Sequence, residues 1–475
     1  MKKYELKQKA IQFSSNDYDN LFLDKNQDDI WNLKETLNFN YLDRQKYYES
    51  NARSYPRRIP IAIREAEDIY ITDVEGNKYI DCLSGAGSLA LGHNHPCIHE
   101  AIKKCIDTKL PLLTLDLTTP VKDKFVETLF NALPKGFKEK AKIQFCSPCG
   151  TDAIEAAIKL AKIATGRSSV FAFSGSYHGM TNGALALTSN TKIKDPVLNL
   201  MKDVFFLPYP YSYRCPFGLG GEEAEKVSLY YIENILKDSH SGLNIPAAFI
   251  LEAVQGEGGT IEASPTWLQG IRRITKKYDI PLIIDEVQAG VGRTGDMFSF
   301  EESGIIPDVI VISKAIGGSL PLSLIVYSDH LDKWKPGSHA GTFRGNQMAM
   351  ATGTAVLNYI KENNLFKNSK EKGKYIKKIF NEFKELYSFI GDVRGRGLML
   401  AIEIVDTRYK PDDLGSYPSN PELASKIQRL CFEKGLIIET GGRQSAVLRL
   451  LPPLTLTDDQ AHKIINILDE VFKSI

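Results

Sequence analysis

No stretch of this chain approaches the ~18 consecutive apolar residues of a membrane helix, so nothing in it reads as a spanning segment. Cysteine is sparse: seven thiols, an odd number scattered through 475 residues, fit reduced core and surface positions rather than a disulfide framework. Charge of one sign is not in excess either. With 59 Lys and Arg against 58 Asp and Glu, the net charge of +1 gives no basic footprint for nucleic acid or an acidic membrane. The opening MKKYELKQKAIQF has the positive charge of a signal peptide but lacks the ~7–15-residue apolar stretch that such a signal needs, so the expected location is the cytoplasm. There is no internal repeat and no low-complexity tract.

What remains is ordinary globular composition, 43 % hydrophobic and 25 % charged. At ~100–200 residues per domain, this length implies two or three domains and excludes a single small binding module.

Residues 1–38 are polar without a sustained apolar period and read as an extension. A front segment, 39–110, begins with a helical pattern from Tyr41 to Asn51 and continues with IYITDV and KYIDCL as strands around Glu75-Gly76-Asn77. Between 111 and 335, short buried runs (KIQFC, SVFAF, AAFILEA, PLIIDE, VIVIS) recur with helical stretches such as TDAIEAAIKLAKIA between them. That alternation predicts an α/β domain with a mostly parallel sheet and helices on both faces. Residues 336–475 read as two long helices, the strand LMLAIEIVD, a polar insertion from Asp406 to Pro421, another helix, and the strands GLIIE and VLRLL. The expectation is that they join the front segment as a smaller α+β domain.

In an open parallel sheet, ligands gather beyond the carboxyl ends of the strands. Three such ends carry chemistry. KIQFC is followed by Ser147-Pro148-Cys149-Gly150-Thr151-Asp152 and a helix, an arrangement that cradles a phosphate on free N–H groups, although an ordinary capped turn has the same lettering. Cys146 and Cys149 form a C-x-x-C without a second pair, and no metal is assigned. PLII is followed by Asp285, a carboxylate placed to hold a cationic ring nitrogen. The G-x-G-x-x-G from Gly290 to Gly295 lies too far past that strand for dinucleotide binding. VIVIS is followed by Lys314, whose amine becomes nucleophilic if partly desolvated but which could equally snorkel to solvent. Taken together, a phosphate anchor, a ring-nitrogen partner and an amine for a carbonyl are what pyridoxal phosphate requires.

From about Tyr41 to the C-terminus the sequence resembles the class III (ornithine/GABA type) aminotransferases. The resemblance rests on GHNHP from Gly92, Gly150-Thr151, GSYHG from Gly175, LEAVQGEGG from Leu251, IIDEVQAGVGRTG from Ile283 and SKAIGG from Ser313. It implies the fold type I architecture of pyridoxal-phosphate-dependent transferases and a homodimer. It further implies Lys314 as the residue bonded to the cofactor and as the proton carrier, with Asp285 on the pyridine nitrogen. Tyr177 would stack on the ring, His178 would neighbour it and Gln288 would lie near the phenolic oxygen. Gly150 and Thr151 would bind the phosphate, reached also by Thr342 of the partner subunit. Arg449 would take a substrate carboxylate, masked by Glu257 when an ω-amine enters. GHNHP is a turn in this family, so His93 and His95 imply no metal.

The segments LDRQKYYESNARSYPRRIP, LDLTTP, CPFGLGG, GSHAGTFRGNQMAMATG and VRGRGLML resemble the branch that exchanges the 4-amino group of L-2,4-diaminobutyrate with 2-oxoglutarate. That resemblance implies an exchange between L-2,4-diaminobutyrate or L-aspartate 4-semialdehyde and 2-oxoglutarate or L-glutamate, with diaminobutyrate synthesis from glutamate as the useful direction in cells. Another ω-aminotransferase of the same class, acting on GABA, ornithine or lysine, and an inactive pyridoxal-phosphate-binding protein are the competing expectations. Two positions depart from the pattern. Cys149 stands where a serine or other small residue is expected, and Met180 stands where many ornithine-type members carry an arginine. The second carboxylate anchor is therefore unassigned, with Arg344 the nearest candidate.

Overall fold

The computed structural model describes residues 38–475. All of the expected N-terminal extension except Asn38 lies outside the described residues. By contacts the chain forms two units, one running through residue 66 and from 70 to 79, the other holding 67–69 and 80–475. In the first, a helix spans Asn38–Tyr48, and Asp73 closes the turn before Asn77 by accepting the N–H groups of Glu75 and Asn77.

The second unit is organised by a seven-stranded sheet. Its strands are β1 (Ala141–Phe145), β2 (Val170–Phe173), β3 (Val204–Leu207), β4 (Ala248–Leu251), β5 (Leu282–Asp285), β6 (Val309–Ile312) and β7 (Leu324–Ser328), in the spatial order β1-β7-β6-β5-β4-β2-β3. Only β7 is antiparallel to its neighbours, so the carboxyl ends of the other six open on one edge of the sheet. The five runs legible in the sequence are β1, β2, β4, β5 and β6. Strand β3, DVFFL, leaves Phe205 and Phe206 partly exposed at the sheet edge, and β7, SLIVYS, runs the other way.

Both faces of the sheet are covered, and the two-residue side-chain period sorts residues between them. Val170, Ala172, Ala248, Ile250, Ile283, Val309 and Val311 pack with the helix α1 (Gly150–Thr165), whose Ala153, Ala156, Ala157 and Ala161 let it lie close to the strands. The alternate residues Phe171, Phe173 and Phe249 face the other way. There Phe173 meets Trp267 of helix α2 (Pro265–Lys277) edge-on at 5.4 Å between ring centres. Each helix is delimited locally. Ser264 caps α2 by accepting the Trp267 N–H, with Pro265 in the first turn, and α1 stops at Gly166 in the left-handed conformation.

After the sheet come α3 (Gln347–Glu362) and α4 (Leu365–Leu386), then an antiparallel sheet in the order Ile390–Arg396, Met399–Ile404, Val447–Leu450, Glu439–Gly441. The tail also reaches back to earlier chain: Leu436 and Ile437 pair in parallel with Ile80 and Asp81. Among the described residues no helix is long and apolar enough to cross a membrane.

Trp267 is fully buried between Phe173 and Tyr209, and the Tyr209 hydroxyl donates to the carbonyls of Glu252 and Ala253 just beyond β4. Trp267→Ala should cost about 3–5 kcal/mol, as large core truncations do, read as a lower urea midpoint.

Candidate active site

The residues just past β1, β2, β4, β5 and β6 meet at a cavity of about 460 Å³. At its first wall, β1 stops at Phe145 and α1 starts at Gly150, so the first N–H groups of α1 have no partner within the helix and face the cavity's Cys149–Thr151 lining. Glycine is required here, because a Cβ on Gly150 would stand 2.9 Å from Cγ1 of Val287. A second loop closes over the same helix start. Gly179 has φ +128°, and a Cβ there would lie 2.4 Å from Oγ1 of Thr151. Beneath the turn, Asp152 accepts the Ser147 N–H at 2.7 Å and lies 3.2 Å from Nε2 of His339. Cys146, Asp152 and His339 group their donor atoms within 4.8 Å. Burial, however, pushes the Cys146 thiol far up, keeping it protonated, and Asp152 is already engaged by hydrogen bonds.

The deep wall is acidic. Asp285, the last residue of β5, accepts from Nδ1 of His178 at 2.8 Å through Oδ2 and from the Val287 N–H at 2.9 Å through Oδ1. Its neighbour Glu286 points to the opposite side, where both oxygens take bonds from Ser299, its N–H at 2.9 Å and its hydroxyl at 2.6 Å. The alternation of a strand thus sends one carboxyl to the cavity and the other to the core. Burial pushes the Glu286 carboxyl up to about 8.

Glu252 forms a further part of this wall and is not among the residues singled out in the sequence. It accepts the N–H groups of Tyr177 at 3.0 Å and Gly256 at 2.8 Å, and burial pushes its carboxyl up to about 7. A signal for it exists, since Glu252 follows the apolar β4 as Asp285 ends the apolar β5. Tyr177 lines the cavity, its phenol raised by burial and then by the charge of Glu257.

Lys314 follows β6 through an extended Ser313 and itself adopts φ +50°. A left-handed lysine costs of order 1–3 kcal/mol and persists because its surroundings fix it. The Ser313 hydroxyl donates to the Leu322 carbonyl at 3.0 Å, tying the loop's two ends together. Burial lowers the pKa of the Lys314 ammonium, favouring the neutral amine, while Glu257 opposes that shift and Arg449 adds to it.

Arg449 is buried in the strand Val447–Leu450, not exposed as its strand position alone suggests. Its Nη1 donates to Glu257 at 2.7 Å and its Nη2 to Oε1 of Gln288 at 2.7 Å. Thus Lys314, Asp285, Tyr177, His178, Gln288, Gly150, Thr151 and Glu257 line one cavity, and Arg449 closes on it through Glu257 and Gln288. Thr342 does not line it, and neither does Arg344, which pairs with Asp116 at 3.2 Å.

The donor set fits pyridoxal phosphate. Free helix N–H groups stand at one end, a carboxylate with spare lone pairs at the other, and a desolvated amine between. Among the described residues, the buried Nε2 of His178 beside that carboxylate has no hydrogen-bond partner.

Comparison with known proteins agrees. Residues 51–472 match the family model described as aminotransferase class-III. A diaminobutyrate–2-oxoglutarate aminotransferase of Rhizobium meliloti (strain 1021) is 52 % identical over 92 % of this chain and 93 % of its own length. A protein of the same name from Haemophilus influenzae is also 52 % identical, over 90 % of this chain and 94 % of its own. Among solved structures, a PLP-bound amine transaminase from an uncultivated Pseudomonas species superposes with a TM-score of 0.80 at 26 % identity, covering 90 % of this chain and 98 % of that one.

The raised carboxyls of Glu286 and Glu252 set a sign for stability. An unfolded Glu titrates near ~4.3, so between about pH 4.3 and 8 the folded chain holds protons that the unfolded chain has lost, and stability falls as pH rises through that window. Glu286→Gln should make the decline of melting temperature between about pH 5 and 8 shallower than in the parent protein.

Proposed function

This chain belongs to the class III aminotransferases, and on that premise we propose that it exchanges the 4-amino group of L-2,4-diaminobutyrate with 2-oxoglutarate, forming L-aspartate 4-semialdehyde and L-glutamate, or runs the reverse. The pair Arg449–Glu257 carries the reading. One site must accept a cationic amine in one half-reaction and a dicarboxylate in the other, and a guanidinium at the cavity covered by a removable carboxylate meets both demands. The relatives that are 52 % identical supply the identity of the amine.

When bound, pyridoxal phosphate supplies an aldehyde that exchanges amines and a ring that accepts the electron pair left by a departing proton. Gly150 and Thr151 would hold its phosphate through the start of α1, and Tyr177 would lie along the ring. Asp285 would hold a proton on the ring nitrogen, with His178 fixing the carboxylate through the bond from Nδ1. Lys314 would form the covalent link to the cofactor and carry the proton between the substrate carbon and the cofactor's carbonyl carbon, a task helped by burial, which lowers the pKa of its ammonium. Glu257 covers Arg449 while the diamino acid reacts and turns away when a dicarboxylate arrives. Gln288 accepts from the other guanidinium nitrogen, Nη2, at 2.7 Å.

The same reading includes a cytoplasmic homodimer in which Thr342 of the partner subunit completes each phosphate site.

The test is to mix loaded protein with L-2,4-diaminobutyrate and no keto acid, running GABA and L-ornithine in parallel. Loss of the cofactor's visible band and release of L-aspartate 4-semialdehyde with the first amine alone is the expected result. Conversion by another amine only would reassign the substrate. Lys314→Ala should stay folded, escape borohydride trapping of the cofactor and show no turnover. Arg449→Ala should slow the glutamate half-reaction far more than the diaminobutyrate one, and equal losses in single-turnover assays would remove the role given to Glu257.

A further inference from the structure

Arg449 has a second carboxylate beside it. Glu439, on the edge strand Glu439–Gly441, stands directly across from Arg449 in the antiparallel register, and its Oε2 lies 3.4 Å from Nη1, the nitrogen that also donates to Glu257. Two residues on, Gly441 leaves room for the arginine stem, since a Cβ there would meet its Cδ at 3.0 Å. The two carboxylates differ in freedom. The Glu257 side chain is 39 % exposed and lines the cavity, whereas that of Glu439 is 10 % exposed and fixed within a sheet. Glu257 can therefore leave the guanidinium and Glu439 cannot.

With Glu257 in place, two carboxylates against one guanidinium give the cluster a formal charge of −1. With Glu257 withdrawn, Arg449 and Glu439 remain as a neutral pair rather than a bare buried cation, which would be costly. Two members of this cluster, Glu257 and Arg449, act electrostatically on the Lys314 amine, so the cluster borders the reacting position.

We propose that Glu439 is a specificity-determining positioning residue that acts through Arg449, its fixed charge biasing the cavity toward the cationic diamino acid and against the dicarboxylate. The inference rests on the substrate pair proposed above. The diamino acid carries two ammonium groups and one carboxylate, whereas 2-oxoglutarate carries two carboxylates, so one fixed negative charge moves their affinities in opposite directions.

The experiment compares the parent holoenzyme with Glu439→Gln, which keeps an oxygen acceptor and removes the charge, and with Glu439→Asp, which keeps the charge. Each half-reaction is followed separately in single turnovers at low and high salt, and the dissociation constant of glutarate, an unreactive dicarboxylate, is measured on the same proteins. In Glu439→Gln the ratio of the diaminobutyrate constant to the glutarate constant should rise about three- to tenfold at low salt, the size of one partly screened unit charge, and the rise should shrink at high salt. Glu439→Asp should return the ratio toward the parent value. A ratio that stays constant or falls in Glu439→Gln overturns the proposal, as does a parallel loss of both affinities, which marks a purely structural residue. If the parent converts a different amine, the substrate reading fails while Glu439 is still judged by the ratio of that amine to glutarate.

Discussion

A sheet covered on both faces has no room for polar chemistry except where its strands run out. The interior of this one is so fully apolar that Phe171, Phe173, Phe249, Ile283 and Val311 are inaccessible. Most polar groups of the site consequently sit at or shortly past the strand ends, and because six of seven strands run the same way, those residues collect on one edge. Gly150, Glu252, Asp285 and Lys314 are neighbours for that reason alone, although 164 positions separate the first from the last in the numbering. Arg449 reaches them from another sheet altogether.

The same constraint governs what is legible in the sequence. Asp285 and Lys314 stand out because a charged residue at, or one residue past, the end of an apolar run of four marks the place where a buried parallel strand opens to a cavity. Glu252 obeys the same rule and is open to discovery by it. Strand β7 is not legible by alternation, since its LIV core reads like a buried parallel strand and only the sheet pairing reveals its direction. The class of architecture is thus accessible from periodicity, while the contacts of Arg449 are not. Nothing in VLRLL states that the arginine is buried, because its burial depends on Glu257 from far earlier in the chain and on Glu439 across a short hairpin. Long-range charge pairing leaves no local trace in a sequence.

Buried charge is handled elsewhere in the chain by the same means. Glu403 takes bonds from the Tyr211 hydroxyl and Arg214 and pairs with Arg394 at 2.7 Å; burial works against its ionisation, yet the two guanidinium groups hold its carboxyl below the ordinary range. Arg293 instead donates from Nη1 alone to the carbonyls of Leu398 and Pro452, and burial lowers its pKa to about 10. Ions that share their charge with an opposite ion keep it, whereas those held only by dipoles are pushed toward neutrality.

The seventh strand, running against the rest, has a consequence for how the chain tolerates change in length. The segment from Ser313 to Ser323 leaves β6 and enters its direct neighbour β7, with a side-chain bond across its base from Ser313 to Leu322. Both ends are therefore fixed within one strand spacing. An inserted or deleted residue there would have to be accommodated between these two fixed ends, beside the Lys314 amine. The polar insertion between 406 and 420 is closed at its base by a bridge between Val405 and Ser419 and is also held along its length, where the Ser416 hydroxyl donates to the Tyr213 carbonyl and Arg214 donates to the Tyr417 carbonyl. Through the bond from Ser313 to Leu322, the position of the Lys314 amine is tied to the start of β7.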